Sequence, residues 1–309
     1  MAGPLGPPTM PLPLRIALVT ATEARALDQD LPPLTDALRA EGAEVALVDW
    51  DDPTADWSLF AAAVIRCPWD YTRRREAFLA AMGQVATQTR LFNPPAVLRA
   101  NTDKRYLQGL ADAGVAVVPT LFLTAADDLT RLVAWLNEQH AQDCVVKPSV
   151  GAGSQDARRF AANCRAEAVA HAAGLAASGR TAMVQPYLDR VDAQGETALI
   201  FMGGAFSHAI RKGPLLRRGE VAGPALFAAE TIAARQPGVD ELALAEQALA
   251  AVGQPLLYAR VDVLRDGDGA PRLLELELIE PSLFFAHGAG SAQRLAGLIV
   301  AAGRGQWPG

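Results

Sequence analysis

Arg260 and Asp262 stand two residues apart in YARVDVL (258–264), and Glu275 and Glu277 two apart in RLLELELI (272–279). Strand periodicity sends residues i and i+2 to the same face, so each charged pair projects from one side of its strand. Ala259, Val261 and Val263 then cover the opposite face of one strand, and Leu274, Leu276 and Leu278 that of the other. Asp266-Gly267-Asp268-Gly269 supplies turn chemistry for a hairpin between them. An even loop centred on Gly267-Asp268 sets Arg260 across from Glu275 and Asp262 across from Leu273, with all four charged groups on one face. An odd loop would turn Asp262 away. Three carboxylates on one face repel one another unless a cation neutralises them. Hard oxygen donors suit Mg²⁺, which favours sites shared with phosphates. The same pattern also describes a solvated face carrying ordinary ion pairs.

Other segments carry complementary chemistry. In Val145-Val146-Lys147-Pro148-Ser149-Val150-Gly151-Ala152-Gly153-Ser154 a strand ends in a lysine and runs into a glycine loop whose N–H groups can cradle phosphate oxygens. It is no Walker A motif, because no Gly-Lys-Ser/Thr closes the loop. Asn101-Thr102-Asp103-Lys104 reads as a helix start with Thr102 as the N-cap, placing a second lysine where it can meet an anion. Gln185-Pro186-Tyr187-Leu188 follows an apolar strand, and its backbone suits an adenine edge as well as it suits a plain strand exit. Arg66, Trp69, Asp70 and Tyr71 follow a strand near the N-terminus. There they either recognise a zwitterionic amino acid or form an Arg66–Asp70 ion pair beside a packed Trp69. Arg211 and Lys212 suit a phosphate or a substrate carboxylate. His208 and His287 read as structural or substrate-orienting.

The elements that must position these residues follow from hydrophobic pattern. RIALVT (15–20) is a buried parallel strand, and a helix begins at Pro32 with Leu34, Ala37 and Leu38 on one face and Gly42 ending it. Strands at 44–48 and 61–65 and a helix at 73–88 complete a β-α-β rhythm, hence an α/β layer with a parallel sheet. No GxGxxG follows the first strand, so a dinucleotide fingerprint is missing. Beyond residue 101 come a helix to 113, an extended run at 115–123, a helix near 127–139, and strands at 144–147 and 182–184. Long strands at 196–202, 205–211, 257–264 and 272–279 look antiparallel, so this half is α+β.

Composition sets outer limits. The 309 residues carry 28 Lys plus Arg against 34 Asp plus Glu, a net charge of −6, which argues against bulk nucleic-acid binding. Half the residues are hydrophobic, enough for a real core. Cys67, Cys144 and Cys164 are too few and scattered for a disulfide framework or a Cys-rich zinc site, and read as reduced thiols of a cytoplasmic protein. No apolar stretch is long enough to span a membrane. Residues 1–13, rich in proline, read as a disordered leader rather than a signal peptide.

The order of these features resembles the ATP-grasp superfamily over residues 97–285: a lysine, a lysine before a glycine loop, a Gln-Pro-aromatic linker, Glu196, Arg211, then the R-x-D and E-x-E strands. Arg66-Cys67-Pro68-Trp69-Asp70-Tyr71, Asn93-Pro94, Asn101 to Leu107, Pro119-Thr120, Ser207-His208-Ala209 and Glu275 to Pro281 are similar to the glutathione-synthetase-like group that includes the cyclo-ligase of D-cycloserine biosynthesis. The resemblance implies a pre-ATP-grasp α/β domain at 14–100 and an ATP-grasp unit at 101–309, with a lid lobe at about 115–186 and a C-terminal lobe at about 187–309. It implies an ATP- and Mg²⁺-dependent carboxylate–amine ligase working through an acyl-phosphate on a small amino-acid-like substrate, by intra- or intermolecular ligation; a homodimer is the expectation only because dimers are the common default among soluble enzymes. A small-molecule kinase and a non-catalytic nucleotide-binding module are the alternatives.

By the same resemblance Lys104 and Lys147 contact the phosphates, with Gly151, Gly153 and Ser154 folding over them. Gln185 and the backbone of Tyr187 and Leu188 hold adenine, with Glu196 near the ribose. Asp262, Glu275 and Glu277 bind Mg²⁺. Arg260 and Arg211 are the catalytic cations, and Arg66, Trp69, Asp70, Tyr71 and Lys212 the substrate side. Many family members have asparagine where Glu277 stands, so this site carries an extra negative charge, which either tightens metal binding or changes the number of ions.

Overall fold

A computed structural model describes residues 13–125, 127, 129–138, 142–153, 155–214, 216 and 231–307. Ser154 and residues 1–12 of the expected leader lie outside the described residues. In chain order the elements are β1 (Leu14–Thr20), α1 (Leu31–Ala40), β2 (Ala43–Asp49), β3 (Ala62–Cys67), α2 (Arg75–Gln88), β4 (Arg90–Phe92), α3 (Pro95–Asn101) and α4 (Tyr106–Asp112). Then follow β5 (Leu121–Leu123), α5 (Leu129–Glu138), β6 (Cys144–Pro148), β7 (Arg158–Phe160), α6 (Arg165–Ala177), β8 (Ala182–Pro186) and α7 (Arg190–Gln194). The last are β9 (Glu196–Met202), β10 (Ala205–Lys212), β11 (Ile232–Arg235), α8 (Val239–Val252), β12 (Tyr258–Arg265), β13 (Pro271–Glu277) and α9 (Ser291–Gly303).

The strands form three sheets. One is parallel, in the order β2-β1-β3-β4. Two are antiparallel, β5-β8-β6-β7 and β11-β10-β9-β12-β13. The α/β and α+β division expected from patterning is the one observed. Ile16, Ala17, Leu18 and Val19 of β1 are all fully buried, which is why that run is continuously apolar rather than alternating. Pro32 and Pro33 sit in the first turn of α1, where a missing N–H costs nothing, and Leu31, Leu34, Ala37 and Leu38 face inward. The C-terminal helix α9 returns to this N-terminal layer: Leu295, Ala296, Ile299 and Val300 share one core with β1 and β3.

Two local expectations need correction. Thr102 is no N-cap: α3 ends at Asn101 with Thr102 closing it, and Lys104 sits in a turn before α4 begins at Tyr106. Pro94 and Pro95 seed the earlier helix, and this local signal outweighs the capping pattern. The hairpin loop is also odd, since Arg265 pairs with Pro271. A regular ladder from that turn would set Asp262 against Leu274 and turn it away from Glu275. A register shift between Asp262 and Val263 absorbs Leu274 as an extra residue, so the observed pairs are Asp262 with Glu275 and Arg260 with Glu277. Leu274 therefore joins Glu275 in the cavity wall, and Leu273 takes the buried side.

Candidate active site

A cavity of about 1370 Å³ opens between the three sheets. Its wall takes Lys147 from β6, Gln185 from β8, Glu196 from β9, Lys212 from β10, Arg260 and Asp262 from β12, and Glu275 and Glu277 from β13. Lys104 enters from the turn between α3 and α4, and Trp69 and Tyr71 from the short 3₁₀ turn after β3. Gly151 and Gly153 line it as well, and Gly153 has a φ of 61°.

Charges at the centre are tightly interlocked. Arg260 donates from Nε to Asp262 Oδ1 and from Nη2 to Asp262 Oδ2, each at 2.9 Å, and also to Glu277. Lys212 Nζ donates to the same Asp262 Oδ2 at 2.9 Å and forms an ion pair with Glu196. Lys104 Nζ reaches Glu275 Oε1 at 3.0 Å and the Gly151 carbonyl at 2.9 Å. Lys147 has no carboxylate within ion-pair distance among the described residues. Among those residues, too, no three His, Cys, Asp or Glu side chains are drawn close enough to hold an ion as they stand. A cation holds each of the three candidate ligands.

Protonation follows this wiring. Burial opposes the charge of Asp262, but Arg260 and Lys212 outweigh it and hold the carboxyl well below the usual range. Glu275 behaves likewise, burial being overcome by Lys104 and Lys147. For Glu277 burial dominates and lifts the group to about 7 despite Arg260. Glu196 is lifted by burial to about 8 in spite of Lys212. Burial would depress Lys104, yet Glu275 beside it raises its pKa. Burial does depress Lys147, with only partial relief from Glu275.

One part of the cavity wall comes from β6, β8 and the segments beside them. Gln185 Nε2 donates to Thr120 at 3.0 Å, and Val118, Val145, Leu188 and Leu264 are among the apolar lining. The Tyr187 amide does not face this space as expected, because it donates to the Asp143 carbonyl at 2.8 Å. Arg159 stacks over the Tyr187 ring, 3.4 Å from its centroid, and the phenol donates to Asp192.

Three expected site residues lie elsewhere. Arg66 is fully buried beneath the cavity, 3.9 Å from Asp28 and 4.0 Å from Asp30, and donates to the Pro281 carbonyl at 3.0 Å. Asp70 accepts from Trp50 Nε1 at 2.8 Å and pairs with Arg74 rather than Arg66. Arg211 donates to the Gln194 and Ala193 carbonyls at the end of α7, at 2.7 and 3.1 Å, because strand alternation points it away from the face that carries Lys212. His208 is a structural link, its Nε2 donating to the Leu283 carbonyl at 2.9 Å, whereas His287 lines the cavity.

Sequence reasoning missed Glu280, which lines the cavity, is hydrogen-bonded to Tyr71 and is pushed by burial to about 8. β13 ends at Glu277, so no strand periodicity marks it. Asp30 at the start of α1 and the 282–293 segment also line the cavity, and no local motif announces them.

Residues 16–93 match the family model for the N-terminal domain of the D-cycloserine synthetase DcsG. The cycloserine biosynthesis protein DcsG of Streptomyces lavendulae is 40% identical over 290 residues, 91% of this chain and 96% of that protein. The crystal structure of D-cycloserine synthetase DcsG superposes with a TM-score of 0.85 at 40% identity, covering 94% of this chain and 99% of that one. The D-alanine–D-alanine ligase of Bacillus anthracis shares the fold, with a TM-score of 0.68 at 13% identity over 94% of this chain and 97% of that one. Among the described residues no helix is long and apolar enough to cross a membrane.

Proposed function

The chain belongs to the D-cycloserine synthetase family of ATP-grasp ligases, ATP- and Mg²⁺-dependent enzymes that join a carboxylate to an amine, and we propose that here both groups sit on one amino-acid-like molecule that closes into a ring through an acyl-phosphate. The observation that carries this reading is the match to D-cycloserine synthetase over nearly the full length of both chains.

The residues suit the groups they would hold. Lys147, turned into the cavity without a carboxylate partner, leaves a positive charge for a phosphate, and Lys104 and the Gly151–Gly153 backbone flank it. Gln185 and the Leu188 backbone would face the base, with Glu196 toward the sugar. Asp262, Glu275 and Glu277 offer hard oxygen donors of the kind Mg²⁺ takes. When bound, that ion would supply neutralising charge to the phosphates. The cations now paired with these carboxylates would have to yield to it.

The chain's own part is positioning and charge neutralisation. A substrate carboxylate oxygen attacks the terminal phosphorus and ADP leaves. Arg260 on β12 and Lys212 on β10, the two strands that flank β9, both hold Asp262 and face the charge that builds on the transferring group. The amine nitrogen then attacks the activated carbonyl carbon, phosphate departs with the carboxyl oxygen, and the nitrogen gives up a proton. Trp69, Tyr71 and Glu280 wall the side on which the substrate would sit. The proposal includes a cytoplasmic setting and a homodimer, the latter checked by sedimentation of the purified protein.

The test is ADP release with Mg²⁺ and a panel of D- and L-amino acids that includes the aminooxy acid whose ring closure yields cycloserine. Hydroxylamine should intercept the activated carboxyl as a hydroxamate. ATP consumption that yields a stable phosphorylated alcohol, with no hydroxamate and no cyclic product, would overturn the reading.

A further inference from the structure

Asp30 is the N-cap residue of α1, a position where aspartate ordinarily accepts from the first turn of its own helix. Its side chain makes no such bond. The carboxylate instead turns outward and accepts three backbone N–H groups from a distant loop. Oδ2 takes Leu283 at 2.5 Å and Phe284 at 3.0 Å, and Oδ1 takes Phe285 at 2.9 Å. Asp30 is only 5% exposed, and its carboxylate lies 4.0 Å from the buried Arg66.

The loop so held is not in a relaxed conformation. Phe284 has φ 51° and ψ 48°, a left-handed geometry that non-glycine residues rarely adopt. Three N–H bonds converging on one carboxylate offset that cost. Their consequence reaches the centre of the cavity. The neighbouring Ser282 carbonyl accepts from Arg260 Nη1 at 3.3 Å, and the Phe284 ring lies 5.7 Å from the Arg260 guanidinium carbon, a cation–π distance. Arg260 is therefore held on one side by Asp262 and Glu277, and on the other by a carbonyl and a ring whose placement depends on Asp30.

We propose that Asp30 is a positioning residue that fixes Arg260 for the transferring phosphoryl group, acting through Ser282 and Phe284. This rests on the functional reading above, in which Arg260 meets that group. Asp30 itself touches no reacting atom.

The test compares binding of Mg²⁺-AMPPNP and Mg²⁺-ADP by calorimetry in the full chain, because only the former carries the terminal phosphoryl group. Asp30→Asn replaces one acceptor oxygen with a donor that opposes the incoming N–H groups. The preference for AMPPNP over ADP should then fall about tenfold, with ADP affinity changed by less than about twofold. Phe284→Ala, which keeps the carboxylate and removes the ring, should shift the preference in the same direction. Equal weakening of both nucleotides in Asp30→Asn would mark a merely structural staple and overturn the proposal, as would an unchanged preference. If Asp30→Asn yields no folded protein, Phe284→Ala decides, and an unaltered preference there overturns it. Wild-type protein that binds neither nucleotide would defeat the functional reading and the proposal with it. Wild-type discrimination that survives both substitutions would defeat only the proposal.

Discussion

Asp262 stands directly across from Glu275 because β13 accommodates one extra residue, Leu274, at that point in the ladder. The bulge brings together two carboxylates whose charges are held by different cations: Arg260 and Lys212 for Asp262, Lys104 for Glu275. Neither acid can lose its charge without leaving a buried cation short of a partner.

Asp262→Asn should therefore cost about 3–5 kcal/mol of stability, since the buried Arg260 and Lys212 both lose a counter-charge. Its ATP turnover should fall by about a hundredfold or more. Glu275→Gln should show the same loss of turnover with a smaller loss of stability, because only Lys104 is left short. Denaturant unfolding and an ADP-release assay check both. Wild-type turnover in either variant would remove that residue from the proposed phosphate and metal site.

Adjacent residues on β10 should behave oppositely. Lys212→Met removes a cation that touches both Asp262 and Glu196 in the cavity, and should reduce turnover by about a hundredfold. Arg211→Met removes two bonds to the end of α7, and should cost about 1–2 kcal/mol in unfolding experiments while leaving turnover within about threefold. The reverse order would mean that Arg211 swings into the site.

Lys104 and Lys147, the two lysines proposed to meet the phosphates, should also separate. Lys104→Met strands Glu275, so nucleotide affinity and melting temperature should both drop. Lys147→Met removes a cation that burial already disfavours, so affinity should fall about tenfold with no loss of melting temperature. A parallel destabilisation in both variants would show that Lys147 carries a structural ion pair.

Stability should decline as pH rises through neutrality, and Glu280 should account for part of the decline. Burial lifts its carboxyl from the usual 4.5 to about 8. Between those values the folded chain keeps a proton that the unfolded chain has released. Folding is thus favoured at the low end of the window, and the advantage is lost as pH climbs through the folded value. Glu280→Gln cannot ionise, so its melting temperature should fall less than that of the wild type between about pH 5.5 and about pH 8. Parallel curves for the two proteins would exclude this role.

Short-range patterning determined a good deal of this protein. Period-two alternation in 258–264 and 272–279 placed Arg260 and Asp262 together, and Glu275 and Glu277 together, and the apolar run at 15–20 marked a buried parallel strand. Lys147 before a glycine loop and Gln185 at a strand exit were legible for the same reason, since a strand's face and a turn's chemistry are fixed by residues within a few positions. Tertiary structure alone decided the rest. The bulge at Leu274 depends on how β13 fits β12 and the 116–118 segment at once, which no alternation encodes. Whether Arg66 faces a substrate or a buried aspartate depends on what covers β3, and α9, from the far end of the chain, packs against that layer. Asp30 and Phe284 meet across 254 residues of sequence. Local propensity carries no information over such a distance, because only tertiary packing brings the Asp30 carboxylate within reach of the Phe284 N–H.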